Sequence, residues 1–434
     1  MDQIIRQNLV NVKQFPIEQC ETPLYFYDFD KIEYQMNCIA NSLPENFKIH
    51  YTLKANSNLA ICSHLASLGA SADISSIGEL LVAIKAGFSP QNILFTGPGK
   101  TKQELAFALQ QGVSLIVIES LNEAYRLNYL AAEYGIKQNI LIRINPLYRT
   151  QNSCEIRQKN SSCSAKIDSS SSIQLISQSA SKFGVDEEIA LEIISRITSL
   201  ENITLKGIHI FTESNLLDYQ QLVASCQNTI NIANRLKEKG YPISIVDFGG
   251  GIGVPYNNID AEFDVKEFGQ QMQLISDDNP YQYNYIFELG RYLVCESGSY
   301  ITEIVDIKES QGKKFLILDG GVHQLFRTSA MMEASKFMDI LGKERVTTER
   351  VTLAGKLPTP LDIISEDVEV PCNVEIGDRI VIYNCGAYGF NHSLTNFALH
   401  NYPAEIAYHK GEVKVIRISG KAEDFLLNQQ VFPS

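Results

Sequence analysis

Lys54 sits in Tyr51-Thr52-Leu53-Lys54-Ala55-Asn56, just past an apolar, β-branched run. If that run is a strand, the amine leaves its end, where desolvation lowers its pKa and frees the lone pair a Schiff base needs. Most lysines, by contrast, are simply solvated. Gly249-Gly250-Gly251-Ile252-Gly253 can bring backbone N–H groups up to a phosphate with no Cβ in the way. A tight structural turn has the same requirement. A dinucleotide fingerprint would need G-x-G-x-x-G opening a helix, and Val254-Pro255-Tyr256 follows instead. Glu288-Leu289-Gly290-Arg291 sets a carboxylate beside a guanidinium, which in its plainest form is an ion pair. Near a phosphate cradle the carboxylate can also keep a pyridine nitrogen protonated, because opposite charges favour each other's ionised form. A protonated ring then accepts the electrons left by a departing carboxylate. His209-Ile210-Phe211 offers an aromatic ring to stack on a flat ligand or to fill the core. Cys385-Gly386-Ala387-Tyr388-Gly389 presents a phenol between glycines, as a phosphate contact or as an ordinary turn.

The elements that must position these residues follow a rhythm. Eight short apolar segments read as strands: Lys48–Leu53, Ser71–Ser75, Asn92–Thr96, Ser114–Ile118, Asn139–Ile144, Thr204–Ile210, Ile243–Phe248 and Asn284–Phe287. Segments of 3.6-residue periodicity, such as Leu59–Leu68 and Tyr219–Lys239, separate most of them. Eight such units predict an α/β fold, a closed (β/α)8 TIM-like barrel with its active site at the strands' C-terminal ends. About 60 residues lie between the fifth and sixth strands, including a Ser-rich insertion within 150–182. Its side chains bury too little to fold alone, so it reads as a surface insertion or as a lid over the barrel mouth. After Arg291 short strands and Gly turns dominate, which predicts an antiparallel β domain. The expected division is an N-terminal strand segment (1–33) joining the β domain, a barrel (34–290) and a C-terminal β-rich domain (291–434).

Composition excludes several classes of function. The 434 residues carry a formal charge of −13 and no long Lys/Arg run, so nucleic acid is not an expected partner. No apolar run reaches membrane-spanning length. The nine cysteines are scattered without a C-x-x-C pair, which argues against a disulfide framework or a zinc site and for a reducing, cytoplasmic setting.

Together these motifs resemble, in order and over about Glu21 to Ala404, the fold-type III pyridoxal-phosphate decarboxylases of diaminopimelate, ornithine and arginine, whose architecture is the alanine-racemase-like fold. The resemblance implies pyridoxal 5'-phosphate as cofactor, with Lys54 as its Schiff-base lysine and Gly250 and Gly251 in the phosphate loop. It makes Glu288 the pyridinium partner, and Gly290, Arg291 and Tyr388 further cofactor contacts. Asp73, Glu79, Arg143 and His209 take the places of polar residues around the cofactor, and Thr96-Gly97-Pro98-Gly99-Lys100 matches the family's third strand loop. Lys54, Glu288 and His209 are the expected catalytic set. A homodimer with shared active sites is implied as well.

Two departures stand out. Phe211 replaces the second histidine of the family's pattern after strand six; stacking can survive there, imidazole chemistry cannot. In Gly355-Lys356-Leu357-Pro358-Thr359-Pro360-Leu361-Asp362, Pro358 takes the place of the cysteine that donates a proton in relatives. Cys385, His323 or water could supply that proton. Among subgroups the likeness is greatest to siderophore-pathway decarboxylases of the staphyloferrin B and rhizoferrin type, which act on an amino acid joined to citrate, followed by decarboxylases of carrier-bound glutamyl groups. Arg291, Arg327, Asp362 and Tyr388 are the expected substrate contacts; for Arg327 a surface ion pair is the alternative. Rival readings are a decarboxylase of free diaminopimelate, ornithine or lysine, a racemase on the same barrel, and a regulator that binds the cofactor without turnover.

Overall fold

The chain enters through strand β1 (Leu24–Asp28) and helix α1 (Phe29–Ser42) before the βα alternation begins. A computed structural model describes residues 20–147, 181–256, 261–326 and 337–432. The chain divides into two compact units, one of Gln35–Val254 with Glu262–Leu293, the other of Met1–Tyr34, Pro255–Ala261 and Val294–Ser434.

The first unit is the barrel. Strands β2 (Phe47–Thr52), β3 (Ser71–Ile74), β4 (Ile93–Phe95), β5 (Leu115–Ile118), β6 (Gln138–Asn145), β8 (Ile203–His209), β9 (Ile245–Asp247) and β10 (Asn284–Leu289) pair in parallel, and the β5–β6 pairing closes the ring. A two-residue strand, β7 (Val185–Asp186), pairs only with β6. Buried on both faces, these strands are near-continuous apolar runs, as a parallel sheet demands. The helices between them begin and end on local signals. Ser76 caps α3 (Ile77–Ala86), its hydroxyl accepting from the Glu79 N–H, and Gly87 closes it at φ +102°. Thr101 and Glu104 form a capping box on α4 (Lys102–Gln111).

Two further crossover helices are Glu187–Thr198 after β7 and Val265–Asp278 after β9. The helix at Glu187–Thr198 lies within the long interval and supplies its crossover. Residues 148–180, which hold most of the Ser-rich insertion and with it the lid expectation, lie outside the described residues.

The second unit is a nine-stranded mixed sheet. Its strands are β1, β11 (Gly298–Ser310), β12 (Lys313–Leu318), β13 (Met338–Ile340), β14 (Thr348–Ala354), β15 (Ile363–Pro371), β16 (Arg379–Ile382), β17 (Ala404–His409) and β18 (Glu412–Arg417). Most of its pairings are antiparallel, as expected, and two are parallel, β1 with β17 and β12 with β14. Both pairs are joined by long stretches of chain rather than hairpins, and only such connections permit parallel neighbours. The core of this unit gathers Leu24, Phe26, Ile301, Val381, Tyr383 and Ile406.

Candidate active site

The barrel register aligns polar residues at the strands' C-terminal ends. His50 pairs with Glu288 and Thr52 with Asp73, while Arg143, His209 and Asp247 form one continuous row across β6, β8 and β9. Parallel strands in register put these side chains at one level, so residues far apart in sequence converge on one mouth.

Lys54 follows β2, and its Nζ stands 3.9 Å from Asp73 Oδ2 with the side chain half exposed. Asp73 is fully buried. The Thr52 hydroxyl donates to its Oδ2 at 2.5 Å and the Thr96 hydroxyl to its Oδ1 at 2.8 Å. Burial, reinforced by the nearby Glu288, still raises the Asp73 carboxyl to about 7, against the pull of Lys54 and the two hydroxyls. Glu288 goes the other way. Burial alone would raise it, yet His209, with Nε2 at 3.4 Å, Lys54 and Arg143 together hold it down at about 2. Burial lowers His50 to about 4, so it stays neutral. Asp247 is buried and its carboxyl is pushed well up, first by burial and then by Glu288.

A second network fixes Arg143. Glu119 Oε1 is 3.2 Å from Nη1, and the guanidinium lies over the Phe183 ring at 4.3 Å. The Gly184 N–H donates to Glu119 Oε2 at 2.7 Å. Glu123, whose N–H donates to the capping Ser120 hydroxyl, pairs with buried Lys100 at 2.8 Å and accepts from the Glu119 N–H at 2.9 Å. Buried charges are thus paired in sequence from Lys100 to Arg143, as desolvation requires. Glu79 accepts from the Ser75 N–H at 2.7 Å, and burial raises its carboxyl.

The glycine loop is shaped by close approach. A Cβ on Gly250 would stand 2.6 Å from the Glu288 carbonyl oxygen, and one on Gly249, at φ +63°, 2.9 Å from the Phe211 side chain. Phe211 therefore packs on the loop itself. Gly290 sits where a Cβ would meet Thr52 and Ala55. Arg291, which follows, is buried. An amine, a loop of bare backbone and a buried carboxylate in one barrel mouth suit a phosphorylated pyridine aldehyde.

The remaining sequence candidates belong to the other compact unit or lie outside the described residues. Arg327 lies outside the described residues. Tyr388 belongs to the β-rich unit and sits at φ +56°. Asp362 belongs to it too, but as a clasp, its oxygens accepting from the N–H groups of Val322 and Leu357 at 2.7 Å each. These bonds tie two loops together. Pro358 is exposed on the loop between Gly355 and Asp362. Of the proton donors considered for its missing thiol, Cys385 is fully buried, donates to the Ile382 and Tyr383 carbonyls, and is raised well above the ordinary thiol range by burial. Burial holds His323 neutral at about 4, with His400 and Lys356 adding to the effect. His50, Glu119 and Asp247 went unnoticed in the sequence. Only their positions at strand ends could have flagged them, Asp247 most of all, two residues before the glycines.

Residues 29–295 match the family described as "Pyridoxal-dependent decarboxylase, pyridoxal binding domain". The chain is 31% identical over 423 residues, 94% of each protein, to L-glutamyl-[BtrI acyl-carrier protein] decarboxylase of Niallia circulans. It is 30% identical to 2-[(L-alanin-3-ylcarbamoyl)methyl]-2-hydroxybutanedioate decarboxylase of Staphylococcus aureus, covering 87% of this chain and 92% of that protein. The crystal structure of diaminopimelate decarboxylase from Helicobacter pylori with L-lysine superposes with a TM-score of 0.83 at 30% identity, covering 94% of this chain and 97% of that one.

Proposed function

The chain belongs to the pyridoxal-dependent decarboxylases, fold-type III enzymes that use pyridoxal phosphate on amino-acid substrates, and from that premise we propose that its own substrate is an amino acid already joined to citrate, a citryl conjugate of siderophore biosynthesis. The observation that carries this reading is the match to the Staphylococcus aureus enzyme, whose named substrate is an alaninyl group linked by a carbamoylmethyl arm to hydroxybutanedioate. The Niallia circulans relative likewise acts on an amino-acid group carried on something larger.

The cofactor, when bound, supplies a ring that takes up the electron pair left when the carboxylate departs as CO₂. The protein's own residues prepare for it. Lys54 provides the amine for the covalent link and, once released by the substrate, a base or acid beside the reacting carbon. Asp73 stands beside that amine, its Oδ2 3.9 Å from Nζ. Glu288 stays ionised and so holds a proton at the ring nitrogen. Gly249–Gly251, with Gly290 and Arg291, serve the phosphate.

The decisive experiment offers ornithine, lysine, diaminopimelate and their citryl conjugates to the holoenzyme and follows CO₂ release. Turnover of a citryl conjugate at least about tenfold above every free amino acid, in kcat/KM, is expected. Preference for free diaminopimelate would replace the reading with that of the Helicobacter pylori enzyme. Release of no CO₂, with racemisation, would overturn both. For Lys54, borohydride reduction followed by peptide mass analysis is expected to fix one cofactor on the Lys54 peptide, and Lys54→Ala to abolish that adduct. We further propose a homodimer, for which sedimentation should return twice the 48.5 kDa chain mass. The seven described cysteines are free thiols, which supports a cytoplasmic setting. No helix among the described residues is long and apolar enough to cross a membrane.

A further inference from the structure

Asp247 has no part in the mechanism above, yet it is fully buried at the end of β9. One carboxyl oxygen, Oδ1, accepts from the Gly249 N–H at 2.8 Å. The other, Oδ2, is buried with no hydrogen-bond partner, while the buried Glu288 Oε1 faces His209 Nε2 at 3.4 Å. A carboxyl oxygen of Asp247, one of Glu288 and a ring nitrogen of His209 all lie within 4.8 Å of one another. The titratable groups around Asp247 are Glu288 on β10, His209 on β8 and Asp73 on β3. Among the described residues no lysine or arginine forms an ion pair with it. His209 serves Glu288, and Asp73 is satisfied by Thr52, Thr96 and Lys54.

Two buried carboxylates at this separation cannot both be ionised when the cations nearby already serve one of them. Glu288 has His209, Lys54 and Arg143 to stabilise its charge. Asp247 has only a backbone N–H. Two acceptors facing each other are reconciled by one proton, which turns Asp247 into a donor and leaves Glu288 the charge.

We propose that Asp247 is protonated at neutral pH and acts as a positioning residue, its neutral carboxyl donating to Glu288 while accepting from Gly249. It thereby couples the carboxylate that serves the ring nitrogen to the loop that serves the phosphate. A second tie between the same elements supports this, since the Glu288 N–H donates to the Gly249 carbonyl at 2.8 Å. The inference rests on Glu288 being the ring-nitrogen partner and is independent of which substrate is used.

Infrared difference spectroscopy of the holoenzyme tests the proton directly. Wild type minus Asp247→Asn should show a protonated-carboxyl C=O stretch at neutral pH, shifted in D₂O, and Asp73→Asn should leave that band in place. Asn keeps the acceptor for Gly249 and a donor for Glu288. Asp247→Asn should therefore retain pyridoxal phosphate within about twofold of wild type, by equilibrium dialysis. Asp247→Val should weaken retention roughly tenfold or more, as the loss of a hydrogen bond to a charged partner implies. Identical infrared spectra for wild type and Asp247→Asn would overturn the protonation. Cofactor loss in Asp247→Asn beyond about tenfold would overturn the positioning role, and the infrared result stands whether or not the valine variant folds. If Glu288→Gln leaves the cofactor's absorbance and turnover unchanged, it is the reading of Glu288 that fails, a result the infrared band cannot produce.

Discussion

Glu288 keeps its charge in a buried place because His209, Lys54 and Arg143 all act on it. A neutral amide of the same shape would fill the space but could not favour a protonated ring nitrogen. Glu288→Gln is thus expected to lower kcat about 10²-fold or more, the scale of removing one preorganised electrostatic partner, with a much smaller change in KM. Steady-state CO₂ release decides it, and an equal loss carried by KM alone would contradict the role. Glu288 is low enough, at about 2, that its ionisation leaves no inflection in the pH profile above about pH 4.

At the scale of elements, close backbone approach limits what the strands can carry. A Cβ on Gly207 would stand 1.8 Å from the Ile245 carbonyl oxygen, in the pairing of β8 with β9 that brings His209 level with Asp247. Gly207→Ala must push these strands apart. It is expected to destabilise by about 3 kcal/mol or more, lowering the melting midpoint by roughly 6 °C or more. Gly87→Ala is the control, since its Cβ meets nothing within 4 Å and only its left-handed φ opposes the substitution. That should lose about 1 kcal/mol. Similar midpoints for the two variants would mean that the β8–β9 contact yields easily. In the glycine loop, Gly250→Ala should weaken cofactor retention more than it lowers the melting midpoint, because its Cβ meets the Glu288 backbone at the barrel mouth.

For the whole molecule, two buried groups give stability opposite pH dependences. His50 has a folded value of about 4 against 6.5, so as pH falls below 6.5 the unfolded chain takes up a proton that the native site refuses, and stability is lost towards pH 4. Asp73 is raised to about 7 from 3.8, so the native state holds a proton that the unfolded chain releases, and stability is lost as pH rises from 3.8 towards 7. Asp73→Asn removes the second effect. The cofactor-free variant should gain on wild type as pH rises, by on the order of 2–4 kcal/mol above pH 7 and by little near pH 4. Urea midpoints at the two pH values measure this, and an equal difference at both would show that Asp73 titrates normally. Activity is expected to fall in the same variant, since Lys54 loses the charge beside it.

Much of the protein was legible in the sequence because it depends on local pattern. Apolar β-branched runs alternating with 3.6-residue periods specify βα units, and eight of them close into a barrel whose strand ends carry the chemistry. Lys54, the glycine triplet and Glu288 stand at those ends, so their convergence could be read from order alone. The crossover helix at Glu187–Thr198 was hidden because the long Ser-rich interval before it masked the alternation. What only the tertiary structure decided is the charge each group carries and whom it serves. His50, Asp73, Asp247 and Glu288 are of ordinary types, and their protonation is set by burial and by partners on other strands. The loop-tying hydrogen bonds of Asp362 likewise depend on backbone donors five and forty residues away. Desolvation and ion pairing act through distances between distant segments, and those distances exist only when the barrel is closed.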